Sequence, residues 1–145
     1  MSVDINVFIS RHRMPTPQEW QKQIDAAGFP LQLSTDFEVE TTFSGYLPCT
    51  IYGEEVGFEC YFDVLEDTLF DPSEPKTKSN VGDRDICVAF SAHGTHDAEL
   101  AAAVMAAGAL AKHCDGVLWV SDDFIANVGP IAWAKESIAE LRDDS

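Results

Sequence analysis

Basic side chains are scarce in this sequence. Nine lysines and arginines stand against 25 aspartates and glutamates in 145 residues, a formal net charge of −16. Because nucleic-acid recognition begins with Lys and Arg neutralising phosphates, DNA, RNA and anionic membrane surfaces are poor partners for such a chain. Long apolar runs are missing as well: none approaches the roughly 18 residues of a membrane span, and residues 1–9 have neither the basic start nor the apolar stretch of a secretion signal. A cytoplasmic protein is the expectation. Cysteine is sparse and dispersed, with Cys49, Cys60, Cys87 and Cys114 forming no Cys-x-x-Cys pair, which argues against a zinc knuckle or a dithiol redox motif. Cys60 and Cys87 fall inside apolar strand patterns, where cysteine acts as a small buried hydrophobe, and all four read as reduced thiols.

What is present is enough for a core. At 46% hydrophobic and 10% aromatic residues the chain is too apolar to be a disordered acidic segment, and its length suits one domain at about 100–200 residues each. No internal repeat or linker divides residues 1–145. The acid is unevenly placed. Residues 1–34 hold three acids and three bases, residues 35–85 thirteen and three, and residues 86–145 nine and three, giving net charges of 0, −10 and −6. Such an excess is ordinarily a solvated surface; the sharper reading is a surface that steers onto a basic partner and plugs a site meant for phosphate.

Local patterns predict an α+β fold. Ile5, Val7 and Ile9 alternate with polar residues over 4–10, a strand, and Phe8 on the opposite side suggests that both faces are partly covered. Thr16-Pro17-Gln18-Glu19 reads as a helix start, with a capping Thr, Pro at the first helical position and Glu three residues after the cap. Trp20, Ile24 and Ala27 then share one helix face, and Gly28 followed by Pro30 ends it. Strands are expected at 37–43, where Phe37, Val39, Thr41 and Phe43 alternate, and at 49–52, after Ser44-Gly45 and Tyr46-Leu47-Pro48 break the pattern. A return strand at 57–64 follows a Gly53-Glu54-Glu55 hairpin connection. Residues 66–82, with Asp71-Pro72-Ser73-Glu74-Pro75, are too polar and proline-broken for a packed element and read as a long mobile loop. The unbroken run Ile86-Cys87-Val88-Ala89-Phe90 marks a central strand buried on both faces. A helix of small residues is expected from about 95 to 112, then a strand at 116–120 and a last helix from Pro130. The sum is a single α+β domain: a mainly antiparallel sheet of about five to six strands, with three helices packed on one face and the other partly open to carry the acids.

Few stretches invite chemistry. His93-Gly94-Thr95-His96, at a strand-to-helix junction, echoes the His-Gly-Thr-His of subtilisin-like serine proteases, but no Gly-Thr-Ser motif supplies a nucleophile and no triad is completed. It also resembles half of a two-histidine phosphoesterase, yet neither His12 nor His113 begins the second His-x-Thr or His-x-Ser such a mechanism needs. His93, His96 and Asp97 could share a metal; the plainer alternative is a helix N-terminus whose histidines bond local backbone groups. Asp122-Asp123 resembles a magnesium-holding pair but lacks a glycine-rich phosphate loop with a lysine, and reads as a turn and a cap. Trp20, Trp119 and Trp133 read as packing. On the strand at 57–64, by contrast, Glu59, Tyr61 and Asp63 point outward together, an acidic and aromatic face.

Gly45-Tyr46-Leu47-Pro48, Gly57-Phe58-Glu59, Ala92-His93-Gly94 and Leu110-Ala111 leading into Asp115-Gly116-Val117-Leu118 together resemble small single-domain bacterial proteins encoded beside secreted antibacterial toxins. The resemblance extends over much of residues 45–120. It implies an immunity protein: a non-enzyme, without cofactor, that binds one cognate toxin and blocks its active site or substrate entry. An acidic domain suits a toxin with a basic site for nucleotides or nucleic acid. On this reading Glu59, Tyr61, Asp63, Glu66, Asp67, Leu69, Phe70 and Asp71 form the interface, the acids setting the encounter rate and Tyr61, Leu69 or Phe70 the residence time. Two classes compete with it. One is a small metal-dependent hydrolase or metal-binding protein centred on His93, His96 and Asp97; the other is an adaptor that dimerises through a sheet edge.

Overall fold

The computed structural model describes residues 2–34, 44–68, 70–71, 73–93, 97–120, 123–125 and 129–143. In chain order they form β1 (Ser2–Ile9), α1 (Pro17–Ala26), β2 (Leu31–Leu33), β3 (Ser44–Ile51), β4 (Glu54–Val64), α2 (Pro75–Val81), β5 (Ile86–His93), α3 (Asp97–Cys114), β6 (Val117–Val120), β7 (Asp123–Ile125) and α4 (Pro130–Asp143). The strands make one sheet in the order β2-β3-β4-β5-β1-β6-β7, and every neighbouring pair is antiparallel. The architecture is α+β. The apolar run of β5 takes the middle of the sheet, where both faces of a strand are covered.

Strand alternation sends Ile5, Val7, Ile9, Phe58, Cys60, Phe62, Ile86, Val88 and Phe90 to one face, which α1 and α3 cover, with α4 packed on α3. The start of α1 is the reciprocal cap expected from the sequence: Thr16 Oγ1 accepts from the Glu19 N–H at 3.1 Å, and Glu19 Oε1 accepts from the Thr16 N–H at 2.9 Å. Trp20, fully buried, meets the rings of Phe62 and Phe90 and donates from Nε1 to the Ala106 carbonyl oxygen at 3.0 Å, tying α1 to α3. Small residues let α3 lie close on both sides. Its segment from Ala102 to Ala111 is buried throughout, wedged between the sheet and α4.

The opposite face departs from the expected arrangement. Phe8, Cys87, Val117, Trp119 and Phe124 form a second apolar patch there, and a strap running from Leu65 through Phe70 to Val81 covers it. The Phe70 ring stands edge-on to Phe8 at 4.8 Å and to Trp119 at 5.1 Å. Helices therefore lie on both faces rather than one. The expectation of an unstructured loop over 66–82 is corrected in the same way: residues 75–81 are α2, a fourth helix among the described residues. Pro75 sits at its first position, the Glu74 carboxylate accepts from the Lys76 and Thr77 N–H groups at 3.1 and 2.9 Å, and Thr77 and Val81, one turn apart, turn inward.

The strand count also rises, to seven against the five to six expected. β2 and β7 have three residues each, too short to show a period on their own. β3 runs through Tyr46-Leu47-Pro48 instead of breaking there. Pro48 is tolerated because its carbonyl, bonded to the Ser34 N–H at 3.0 Å, faces the point where β2 has already ended, so no ladder donor is required of it. The strand expected at 37–43 lies outside the described residues.

Candidate functional site

Registry lays out the second face of the sheet in rows. Glu59 of β4 stands opposite Tyr46 of β3 and Ser91 of β5; Tyr61 stands opposite Ala89, and Asp63 opposite Cys87. The strap covers the β1–β6–β7 end of this face, with Cys87 at the border of the covered patch and Asp63 exposed beside it. The expected residues Glu59, Tyr61 and Asp63 are thus brought onto one side of β4. The Tyr61 hydroxyl is raised above its ordinary range by burial and then by its hydrogen bond to the Glu59 carboxylate, which favours keeping the phenolic proton.

The remaining expected residues fall differently. Glu66 is exposed in the short 3-10 turn Leu65–Asp67, which also contains Asp67, and Leu69 lies outside the described residues. Phe70 is part of the second core, its ring held between Phe8 and Trp119. Asp71 is engaged locally: its carboxylate accepts from the Ser73 N–H at 2.9 Å and the Ser73 hydroxyl at 2.7 Å, and these bonds hold its pKa below the ordinary range.

The hairpin expected between the strands at 49–52 and 57–64 joins β3 to β4, but its turn lies earlier than the expected Gly53-Glu54-Glu55 connection. Its turn is Tyr52-Gly53, with φ of 52° and 81°, the two positive values that a two-residue type I′ connection requires. The X-Gly pair was the available signal. Glu54 and Glu55 follow at once on β4, both exposed. Tyr46, on the second face of β3, lays its ring over Gly57, filling the space a side chain there would occupy. Burial, followed by the charges of Glu99 and Glu55, raises its hydroxyl pKa. Beside it, Gln32, Pro48, Thr50 and Glu55 help to line a recess of about 580 Å³.

Charge divides along the sheet. Between Lys22 and Lys76 the sequence contains no lysine or arginine, so β2, β3 and β4 hold no base, and β4 alone of the three carries acids. Lys76 pairs with Asp123 at 3.0 Å and Arg84 with Asp115 at 3.9 Å, toward the β6–β7 edge.

His93 is the last residue of β5, His96 lies outside the described residues, and Asp97 opens α3. Among the described residues no group of three or more His, Cys, Asp or Glu stands close enough to hold a metal ion. Asp123 instead pairs with Lys76 and caps the Phe124 N–H at 2.9 Å. All four cysteines are buried and outside any disulfide. No described helix is long and apolar enough to cross a membrane. No protein-family model matches the sequence, and no curated protein matches it.

Proposed function

We propose that this chain is a cytoplasmic immunity or inhibitor protein, without catalytic activity of its own, that binds a cognate bacterial toxin enzyme and blocks its active site. The toxin handles nucleotides or nucleic acid through a basic site. The observation that supports this reading is the segregation of charge: β2, β3 and β4 carry no base, and Glu55, Glu59 and Asp63 share one side of β4. An acidic sheet face of this kind mimics the charge of a phosphate-bearing substrate and accelerates encounter with a basic cleft. Tyr61, held by Glu59, adds a rigid aromatic contact among the acids.

The test is co-expression with a secreted toxin encoded by the neighbouring gene. Protection of the cells, together with a complex of the purified proteins in which the toxin's enzyme activity is lost, is the expected result. A neighbouring toxin that neither binds nor is inhibited would overturn the reading. So would stoichiometric metal in the purified protein that is lost in His96→Ala, which would move the chain to the metal-protein class.

A further inference from the structure

Tyr52 is 77% exposed and Tyr46 59% exposed, and they are the exposed large hydrophobic residues among those described. Both belong to the β3–β4 hairpin. Tyr46 has a structural task in covering Gly57. Tyr52 has none of this kind. It occupies the first central position of a type I′ turn at φ 52°, where glycine, asparagine or aspartate fits without strain, and its ring projects into solvent. Neither backbone preference nor burial accounts for a tyrosine at this place. Strained, exposed residues of this sort recur where a side chain meets a ligand.

The surroundings name the ligand's chemistry. Glu54 and Glu55 follow the turn, and no lysine or arginine occurs between residues 23 and 75. We infer that the tip of the β3–β4 hairpin, Tyr52 with Glu54 and Glu55, is the element that enters the partner enzyme's basic cleft, the Tyr52 ring stacking on an arginine guanidinium while Glu54 and Glu55, sent to opposite faces of the hairpin, each pair with a cation on its own side of the cleft. This rests on the inhibitor reading above and gives it a point of contact. A guanidinium within about 6 Å of a tyrosine ring gains from the ring's negative face, and its planar fork suits carboxylates as well. The two-residue turn is already ordered before binding, so little conformational freedom is lost on docking. The recess at the base of the hairpin, walled in part by Glu55 and Tyr46, offers a second basic side chain a seat.

The experiment is a titration of the isotope-labelled full chain with a penta-arginine peptide, and with penta-lysine for comparison, followed by amide chemical shifts. Shifts concentrated on residues 50–56 are expected, with arginine bound more tightly than lysine. Tyr52→Gly and Tyr52→Asn, both suited to the turn, should melt at or above the wild-type temperature yet bind the peptide about tenfold more weakly or worse. Glu54→Gln with Glu55→Gln should weaken binding and flatten its salt dependence. Shifts centred on residues 63–71 or spread evenly over the acidic surface, or Tyr52 variants that bind as wild type, would overturn the proposal. If the peptide settles on the hairpin and the neighbouring toxin is not inhibited, the inhibitor reading falls while the cation-binding hairpin stands. If wild type and Tyr52→Gly inhibit that toxin equally, the hairpin proposal falls while the inhibitor reading stands.

Discussion

Gly108 of α3 lies against Ala134 of α4 with no room for a side chain between them: a Cβ at 108 would stand 2.9 Å from the Ala134 Cβ and 3.0 Å from the Pro130 carbonyl oxygen. One of these neighbours is backbone at the first turn of α4, so it cannot rotate aside. Gly108→Val should therefore destabilise the fold by about 3 kcal/mol through overpacking, seen as a lower urea midpoint. Gly108→Ala combines the same clash with better helix propensity, and a smaller loss of about 1 kcal/mol is expected.

Phe70 ties the strap to the sheet. Its ring is half-buried, so Phe70→Ala should cost about 2 kcal/mol, less than the 3–5 kcal/mol typical of a fully buried phenylalanine. That loss should appear locally. Amide hydrogen exchange in α2 is expected to accelerate roughly thirtyfold while exchange in β5 changes far less. Equal acceleration in both elements would show the strap to be inseparable from the main core.

Acid should loosen the same strap first. Glu74 is held below its ordinary value of 4.5 by the Thr77 and Lys76 N–H groups that it caps, and Asp123 below 3.8 by Lys76. A depressed carboxylate contributes stability that is in place above the ordinary value and is lost as pH falls through the native one. Protection of the α2 amides should accordingly decay below about pH 4.5, with Glu74→Ala showing reduced protection already at neutral pH. The start of α1, where Thr16 holds Glu19 below the same ordinary value, should fray in parallel.

Burial pushes the Cys49, Cys87 and Cys114 thiols up to about 12, and it raises Cys60 too. Thiolate is the reactive form, so none of the four should react with a disulfide reagent at pH 8 until the protein is unfolded, when all four should titrate. The sign for stability is the reverse of the carboxylate case. These groups favour the fold fully below their unfolded value near 9 and cease to do so as pH rises toward 12, so the urea midpoint should fall progressively above pH 9.

Charge reversal on the outer face of the sheet and in the turn that follows β4 tests steering. Lysine at Glu59, Asp63 and Glu66 should slow association with the toxin about tenfold or more at low ionic strength, with a much smaller effect at high salt. Stopped-flow association rates at two salt concentrations check this. Unchanged rates would mean that these acids only solvate the surface.

Several features could be read directly from the chain because neighbours settle them. The Thr16–Glu19 cap needs only a hydroxyl, a carboxylate three residues on and a proline between them, and Gly28 ends the same helix at φ 80° for an equally local reason. The alternation of Phe58, Cys60 and Phe62 and the unbroken run from Ile86 to Phe90 likewise announce one covered face and a central strand. Long-range pairing decided the rest. Leu31–Leu33 and Asp123–Ile125 are strands only because β3 and β6 offer them partners, and Pro48 is tolerated only where β2 stops. Phe70 reads as a loop aromatic free to meet a partner until β1 and β6 bring Phe8 and Trp119 beneath it. Tyr52 shows the opposite change, from strand residue to exposed turn. The excess of acid was written in the composition, but its concentration on one end of one sheet face depended on the strand order. Composition counts charges, whereas only the pairing of distant strands sets which of them share a surface.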